Sequence, residues 1–75
     1  MVAAMRFARS AGKHGIRPAD AEHVLRNYIR VFDQGEIAMF IGPAIDGTVL
    51  EVGVVEDDED PRIIHAMPVR RKFWP

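Results

Sequence analysis

Apolar residues recur with one period in the first half of the chain and another in the second. The change comes near Asp33-Gln34-Gly35. Ahead of it, Ala21, Val24, Leu25, Tyr28, Ile29 and Phe32 follow the i, i+3, i+4, i+7, i+8, i+11 spacing of one helical stripe. Pro18 suits the first position of that helix, and Asp20 and Glu22 suit the positive end of its dipole. His23, Arg26, Asn27 and Arg30 fall on a polar stripe, which reads as solvated surface or as a cationic contact surface. An earlier helix is predicted over residues 5–14, with Gly15 placed to close it in a left-handed C-cap. Arg6, Lys13 and either Arg9 or Ser10 would share one of its faces, with Phe7, Ala8 and Ala11 on the other.

Beyond Gly35 the pattern is that of strands. Residues 36–42 form a short apolar run, and Asp46-Gly47 is a hairpin turn signal. Residues 48–55 are rich in valine, and a third strand spans 61–67. Pro68 cannot continue an interior strand. The expected fold is α+β, in the order α-α-β-β-β. Two helices would pack on one face of a three-stranded antiparallel meander.

Strand parity then suggests a site. Successive residues alternate faces. Leu50, Val52 and Val54 are assigned to the helix side, so Glu51 takes the open side. A two-residue turn at Asp46-Gly47 would put Ile37, Met39 and Ile41 with the core and Phe40 outward. With Ile64 and Ala66 inward, His65 would lie opposite Glu51. An aromatic ring, a carboxylate and an imidazole on one open face could stack a base and move a proton. The plainer alternative is an ordinary surface pair, Glu51–His65, beside an apolar contact surface at Phe40.

Length narrows the choices. Seventy-five residues make one small domain, 1–75, that buries only about 60% of its unfolded surface. There is no cysteine, hence no disulfide and no thiolate metal site. Such a domain commonly leans on a partner or on a second copy as a homodimer. Residues 1–7 hold no apolar run long enough for a signal peptide, and no stretch approaches a membrane span. A cytoplasmic protein without a membrane role is expected.

The net charge of −1 hides a segregation. Residues 56–60, Glu-Asp-Asp-Glu-Asp, form an acidic loop, and without these five charges the balance is +4. The run reads as a solvated loop guarding a strand edge, or as a flap that guides a basic partner. The tail, 68–75, is basic and aromatic, with Arg70, Arg71 and Lys72 just after the strand that carries His65. An imidazole near clustered cations suits an anionic partner such as RNA. His14, His23 and His65 are too scattered for a metal-ligand motif, so no metal and no other cofactor is expected.

Two segments carry a resemblance. Lys13-His14-Gly15-Ile16, followed by Asp20-Ala21-Glu22, is similar to the "KHGV…EEA" segment of BrnT-like toxins in the RelE/ParE-type superfamily. Pro61-Arg62-Ile63-Ile64-His65-Ala66 resembles that family's "R-I-I-S-A-R" strand. The resemblance implies a RelE/BrnT-like fold and an RNase-type toxin held inactive by a cognate antitoxin. His65 stands where the family often has serine, and Met67 where the motif's second arginine belongs. Arg70 and Arg71 are the residues able to replace that charge. The proposed catalytic set is His65, Glu51, Arg62 and Arg70. The proposed RNA contacts are Lys13, His14, Arg26, Arg30, Phe40, Arg71 and Lys72. The alternative is a non-catalytic α+β module that binds a protein or nucleic acid.

Overall fold

The computed structural model describes residues 5–74, so the first four residues and Pro75 of the expected tail lie outside the described residues. The described residues form five strands and one α-helix: β1 (Arg6–Phe7), α1 (Pro18–Asn27), β2 (Arg30–Gln34), β3 (Ile37–Pro43), β4 (Val49–Val55) and β5 (Arg62–Pro68). Short 3-10 turns occupy Arg9–Gly12 and Arg71–Phe73. The sheet order is β1-β5-β4-β3-β2, with β1 parallel to β5 and every other pair antiparallel. This overturns the expected two helices on a three-stranded meander. Both changes come from the helical half of the sequence.

The expected first helix is instead a two-residue strand and a 3-10 turn. Phe7 pairs with Ile63, Ala8 donates its backbone N–H to the Ile63 carbonyl at 2.8 Å, and the Ser10 hydroxyl donates to the Ile64 carbonyl at 2.9 Å. A segment this short, interrupted by Gly12 and Gly15, gains too few helical bonds to offset nucleation. Pairing with a strand already in place does better. The second helix forms as predicted but stops at Asn27, and Tyr28 is extended with ψ 147°. Tyr28, Ile29, Val31 and Phe32 are β-branched or aromatic, and two residues separate the end of β2 at Gln34 from its hairpin partner at Ile37. Gly35, with φ +81°, is the first residue of the two-residue turn between Gln34 and Ile37. The Asp33 carboxylate accepts the Gly35 N–H at 3.0 Å.

Between β3 and β4 the connection is five residues, 44–48, because Pro43 pairs with Val49. Asp46 and Gly47 do turn the chain: Gly47 has φ +91°, and the Asp46 carboxylate accepts the Thr48 N–H at 2.9 Å. They sit inside a longer loop closed by Ala44 N–H to the Thr48 carbonyl at 2.7 Å. The longer loop shifts the register by one residue, and a one-residue shift turns every side chain of a strand to the other face. Phe40 therefore opposes Val52 on the α1 side, while Met39 and Ile41 oppose Gly53 and Glu51 on the far side. This reverses the expected facing of β3.

On the α1 side, Leu50, Val52, Val54, Ile63 and Ala66 pack with Ala21 and Val24 of the helix and Ala11 of the first 3-10 turn. Ile63 and Ala66 share that face although three residues apart, because the ladder slips between Gly53 and Val54 and leaves Ile64 as the extra residue of a bulge. Gly42 lets the helix end rest on β3. A Cβ there would lie 2.8 Å from Tyr28 Cα. His23, expected on the outer stripe, is half-buried and donates from Nδ1 to the Pro43 carbonyl at 2.7 Å. On the far side, Phe73 is buried against Met39 and Ile41, with Phe32, Val49 and Val69 around them. Among the described residues no helix is long and apolar enough to cross a membrane.

Candidate functional site

The far face of β4 and β5 holds a buried carboxylate. Glu51 is 0% exposed. An unpaired charge there would be costly, and the chain supplies three donating groups. His65 Nε2 lies 2.8 Å from Oε1. The Arg70 guanidinium reaches the same oxygen, with Nε at 2.9 Å and Nη2 at 2.7 Å. The backbone N–H of Arg70 donates to Oε2 at 2.9 Å.

Burial pushes the Glu51 carboxyl up. The Arg70 guanidinium, the Arg70 backbone N–H and His65 together outweigh that and hold it below the usual carboxylate range. The hydrogen bond to Glu51 raises Arg70 in turn, against a smaller opposing effect of burial. Glu51 is thus an anion that accepts on both oxygens.

That state dictates the histidine. A carboxylate only accepts, so His65 carries its proton on Nε2. Nδ1 is then the other ring nitrogen, and among the described residues nothing hydrogen-bonds to it. The His65 side chain is 27% exposed, enough to meet a ligand at this edge. Gly53 lies directly opposite, and a Cβ there would be 3.1 Å from His65 Cβ, so glycine gives the imidazole its room. The His14 ring stands edge-on to His65, with centroids 6.1 Å apart and planes at 74°. His14 is delivered by the turn after the first 3-10 segment, where Gly15 has φ +73°.

The C-terminal segment completes this face. Val69 N–H donates to the Val49 carbonyl at 3.0 Å, Arg70 is held on Glu51, and Phe73 packs on Phe32 with centroids 5.4 Å apart. Arg70 and Lys72 both place their cations over the Phe73 ring, at 5.5 and 5.1 Å. Arg71 and Lys72 remain exposed, as does Lys13 beside His14.

Of the side chains in the sequence-based site, then, the structure gathers Glu51, His65, Arg70 and His14, with Lys13, Arg71 and Lys72 on neighbouring segments. The others lie elsewhere. Glu51 faces Met67 directly and meets His65 on the diagonal, because the ladder is offset from the expected pairing. Phe40 is on the α1 face, edge-on to Tyr28 at 4.9 Å. Arg26 lies on α1, and Arg30, though on the Glu51 face opposite Ile41, is in β2, three strand spacings, about 14 Å, from β5.

Arg62 sits at the acidic end of β5. Its Nη1 donates to the Asp60 carbonyl at 3.1 Å and lies 3.7 Å from the Asp60 carboxylate. It shares a concavity of about 260 Å³ with Glu36, Val55, Glu56 and Asp57, whose charge disfavours an anion. The acidic loop is tied down at its end by Arg6, which grips Asp60 with two bonds of 3.1 and 2.7 Å. Glu56 to Glu59 are exposed.

Two features escaped the sequence reading: the depth at which Glu51 is buried and the anchoring by Phe73. The available signal was a lone glutamate inside a valine-rich strand, which requires a cation once the strand is interior. No protein-family model, no curated protein and no solved structure matches the chain.

Proposed function

We propose that the protein cleaves RNA at the face carrying His65 and His14, as the ribonuclease of a bacterial toxin–antitoxin pair. The observation that carries the reading is the fixed imidazole: His65 Nε2 is held by a buried carboxylate that Arg70 also holds, and its Nδ1 is free. A carboxylate behind one ring nitrogen sets the tautomer and orients the other nitrogen as a base. His65 Nδ1 takes the 2′-OH proton. The 2′-oxygen forms a bond to phosphorus, the bond from phosphorus to the 5′-oxygen breaks, and protonated His14 supplies the proton that oxygen needs. The product is a 2′,3′-cyclic phosphate and a free 5′-OH. Arg70, Lys13, Arg71 and Lys72 provide positive charge for the phosphates. The toxin assignment draws on the resemblance of the Lys13–His14 and Arg62–Ala66 segments, and a cognate antitoxin would act by covering this face.

A second reading is favoured by the bonds from Arg70. Both oxygens of Glu51 accept from that residue and so clamp the C-terminal segment, in which case the cluster would be structural and the face would bind RNA without cutting it. One experiment separates the two. Wild type and His65→Gln are induced in a bacterial host, and growth and RNA integrity are followed. Loss of growth arrest and of RNA decay in a folded His65→Gln protein, with RNA affinity retained, supports cleavage. A fall of about 10²–10⁴-fold in cleavage rate is expected for a positioned acid or base. Undiminished RNA decay in that variant eliminates the histidine mechanism. RNA binding with no cleavage by wild type selects the second reading.

A further inference from the structure

The two edges of the sheet are finished differently. On one side β1 pairs only two residues, and the 3-10 turn behind it packs on β5, with Ser10 bonded to the Ile64 carbonyl. On the other side β2 is open. It runs five residues in unbroken register with β3 and contains no proline, lysine or bulge. Alternate residues of an antiparallel edge strand direct their N–H and C=O groups outward. Natural sheets usually guard such an edge.

Here Arg30 and Asp33 put charge on the edge, but the strand also exposes apolar side chains. Val31 is 45% exposed, and the chain enters β2 through Tyr28 and Ile29, 48% and 61% exposed. The helix packs chiefly on β3 and β4 and leaves this side of β2 uncovered. On the other face Phe32 is only half-buried against Phe73.

We propose that β2 is a self-association edge: two copies pair β2 with β2, antiparallel, about a two-fold axis perpendicular to the sheet. The result is one continuous sheet of twice the five strands. Backbone chemistry demands a strand as occupant, and the side chains choose a second copy. In such a pair opposed residues share a face, so the axis passes through a residue. An axis at Arg30 or Asp33 opposes like charges, which is unfavourable. An axis at Phe32, the midpoint of the strand, pairs all five residues. It sets Phe32 against Phe32 and Arg30 against Gln34, and brings Arg30 beside Glu36 in the turn of the second copy.

Among the described residues neither Arg30 nor Glu36 has an ion-pair partner, so the contact satisfies both. Val31 from both copies joins Tyr28 and Ile29 in one apolar patch between the two helices. A domain of 75 residues has reason to extend its core this way. The His65 clusters end up at the two far ends of the joined sheet, on the same face and unobstructed. The inference does not depend on RNA cleavage.

The test is sedimentation equilibrium of the full chain over a wide concentration range, with amide hydrogen exchange of β2. Wild type should be a dimer whose β2 amides gain protection as it forms. Val31→Lys places a charge in the seam and should raise the dimer dissociation constant about 10-fold or more, equivalent to about 1.4 kcal/mol. Arg30→Glu and Glu36→Arg should each weaken the dimer, and the double variant should recover it. Circular dichroism checks folding. Should Val31→Lys not fold, the charge-reversal set decides in its place. A wild type that stays monomeric at every concentration overturns the proposal. So does a dimer that survives both Val31→Lys and the single reversals, because its interface then lies elsewhere.

Discussion

Glu51 concentrates the energetics of the molecule in one residue. It is an ionised group with no exposure, held by a backbone N–H, a guanidinium and an imidazole. Hydrogen bonds to charged groups contribute about 1.5–3 kcal/mol each, but Arg70 is 44% exposed and His65 27%, so both can turn to water when the carboxylate is removed. Glu51→Gln should therefore destabilise by about 1.5–3 kcal/mol in total, measured by urea unfolding at neutral pH.

The pH dependence has a definite sign. The folded-state carboxyl titrates below its unfolded value. Its stabilisation is complete above the ordinary glutamate range and is lost as pH falls through that range towards the lower folded-state value. Asp60, held low chiefly by the Arg6 hydrogen bond, acts in the same direction. Unfolding free energy should decline from about pH 4 downward. The decline should be shallower in Glu51→Gln, and an identical acid limb in the two proteins would show that Glu51 contributes nothing to it. A polar face for Glu51 was legible in the alternation of β4. Its burial was not, because the cover comes from residues 69–73, nearly twenty positions later in the chain.

At the scale of elements, glycine decides how closely α1 meets the sheet. At Gly42 a methyl group would stand 2.8 Å from Tyr28 Cα and 3.3 Å from the Asn27 carbonyl, both backbone. Backbone cannot rotate aside, so Gly42→Ala should cost about 1–3 kcal/mol by overpacking. At Gly53 the nearest atom is His65 Cβ at 3.1 Å, a tight contact but a longer one than the 2.8 Å to backbone at Gly42. Gly53→Ala should therefore lower the urea midpoint less than Gly42→Ala, and the reverse order would contradict this account of the helix–sheet contact.

The same scale shows where periodicity misled. Tyr28, Ile29 and Phe32 continue the helical stripe of Ala21, Val24 and Leu25 without a break in spacing. Yet they are also a β-rich run placed directly before a glycine turn. The period cannot choose between these, and the neighbouring strand does. The Asp46-Gly47 signal marked a real turn. It could not report that Ala44, Ile45 and Thr48 also belong to the loop, and that single extra step reversed the facing of β3.

For the whole molecule, charge is sorted by position in the fold. The acidic loop lies at one end of β4 and β5, gripped by Arg6 and Arg62 through Asp60. The cations Lys13, Arg70, Arg71 and Lys72 lie on the segments around His65. If RNA binds there, neutralising Lys13, Arg71 and Lys72 together should flatten the salt dependence of affinity by a log–log slope of about 2, at about 0.7 per contact on single strands. Neutralising Arg26, Arg30 and Arg62 should leave the slope unchanged. Equal effects from the two triple variants would mean that binding follows overall charge and not this face.

The sequence alone determined the helix start at Pro18, the strand character of β3, β4 and β5, the turn at Asp46-Gly47, and the association of Glu51, His65 and Arg70 with one region. These follow from local rules: φ restrictions, two-fold alternation, and the need of an interior carboxylate for donors. Only the tertiary structure decided that residues 6–7 and 30–34 become strands, that Phe40 turns away from His65, that Ile64 bulges, and that His14 stands against His65. Each of these depends on pairing with another segment of the chain. Pairing energy and steric room are set between elements, and no local pattern encodes them.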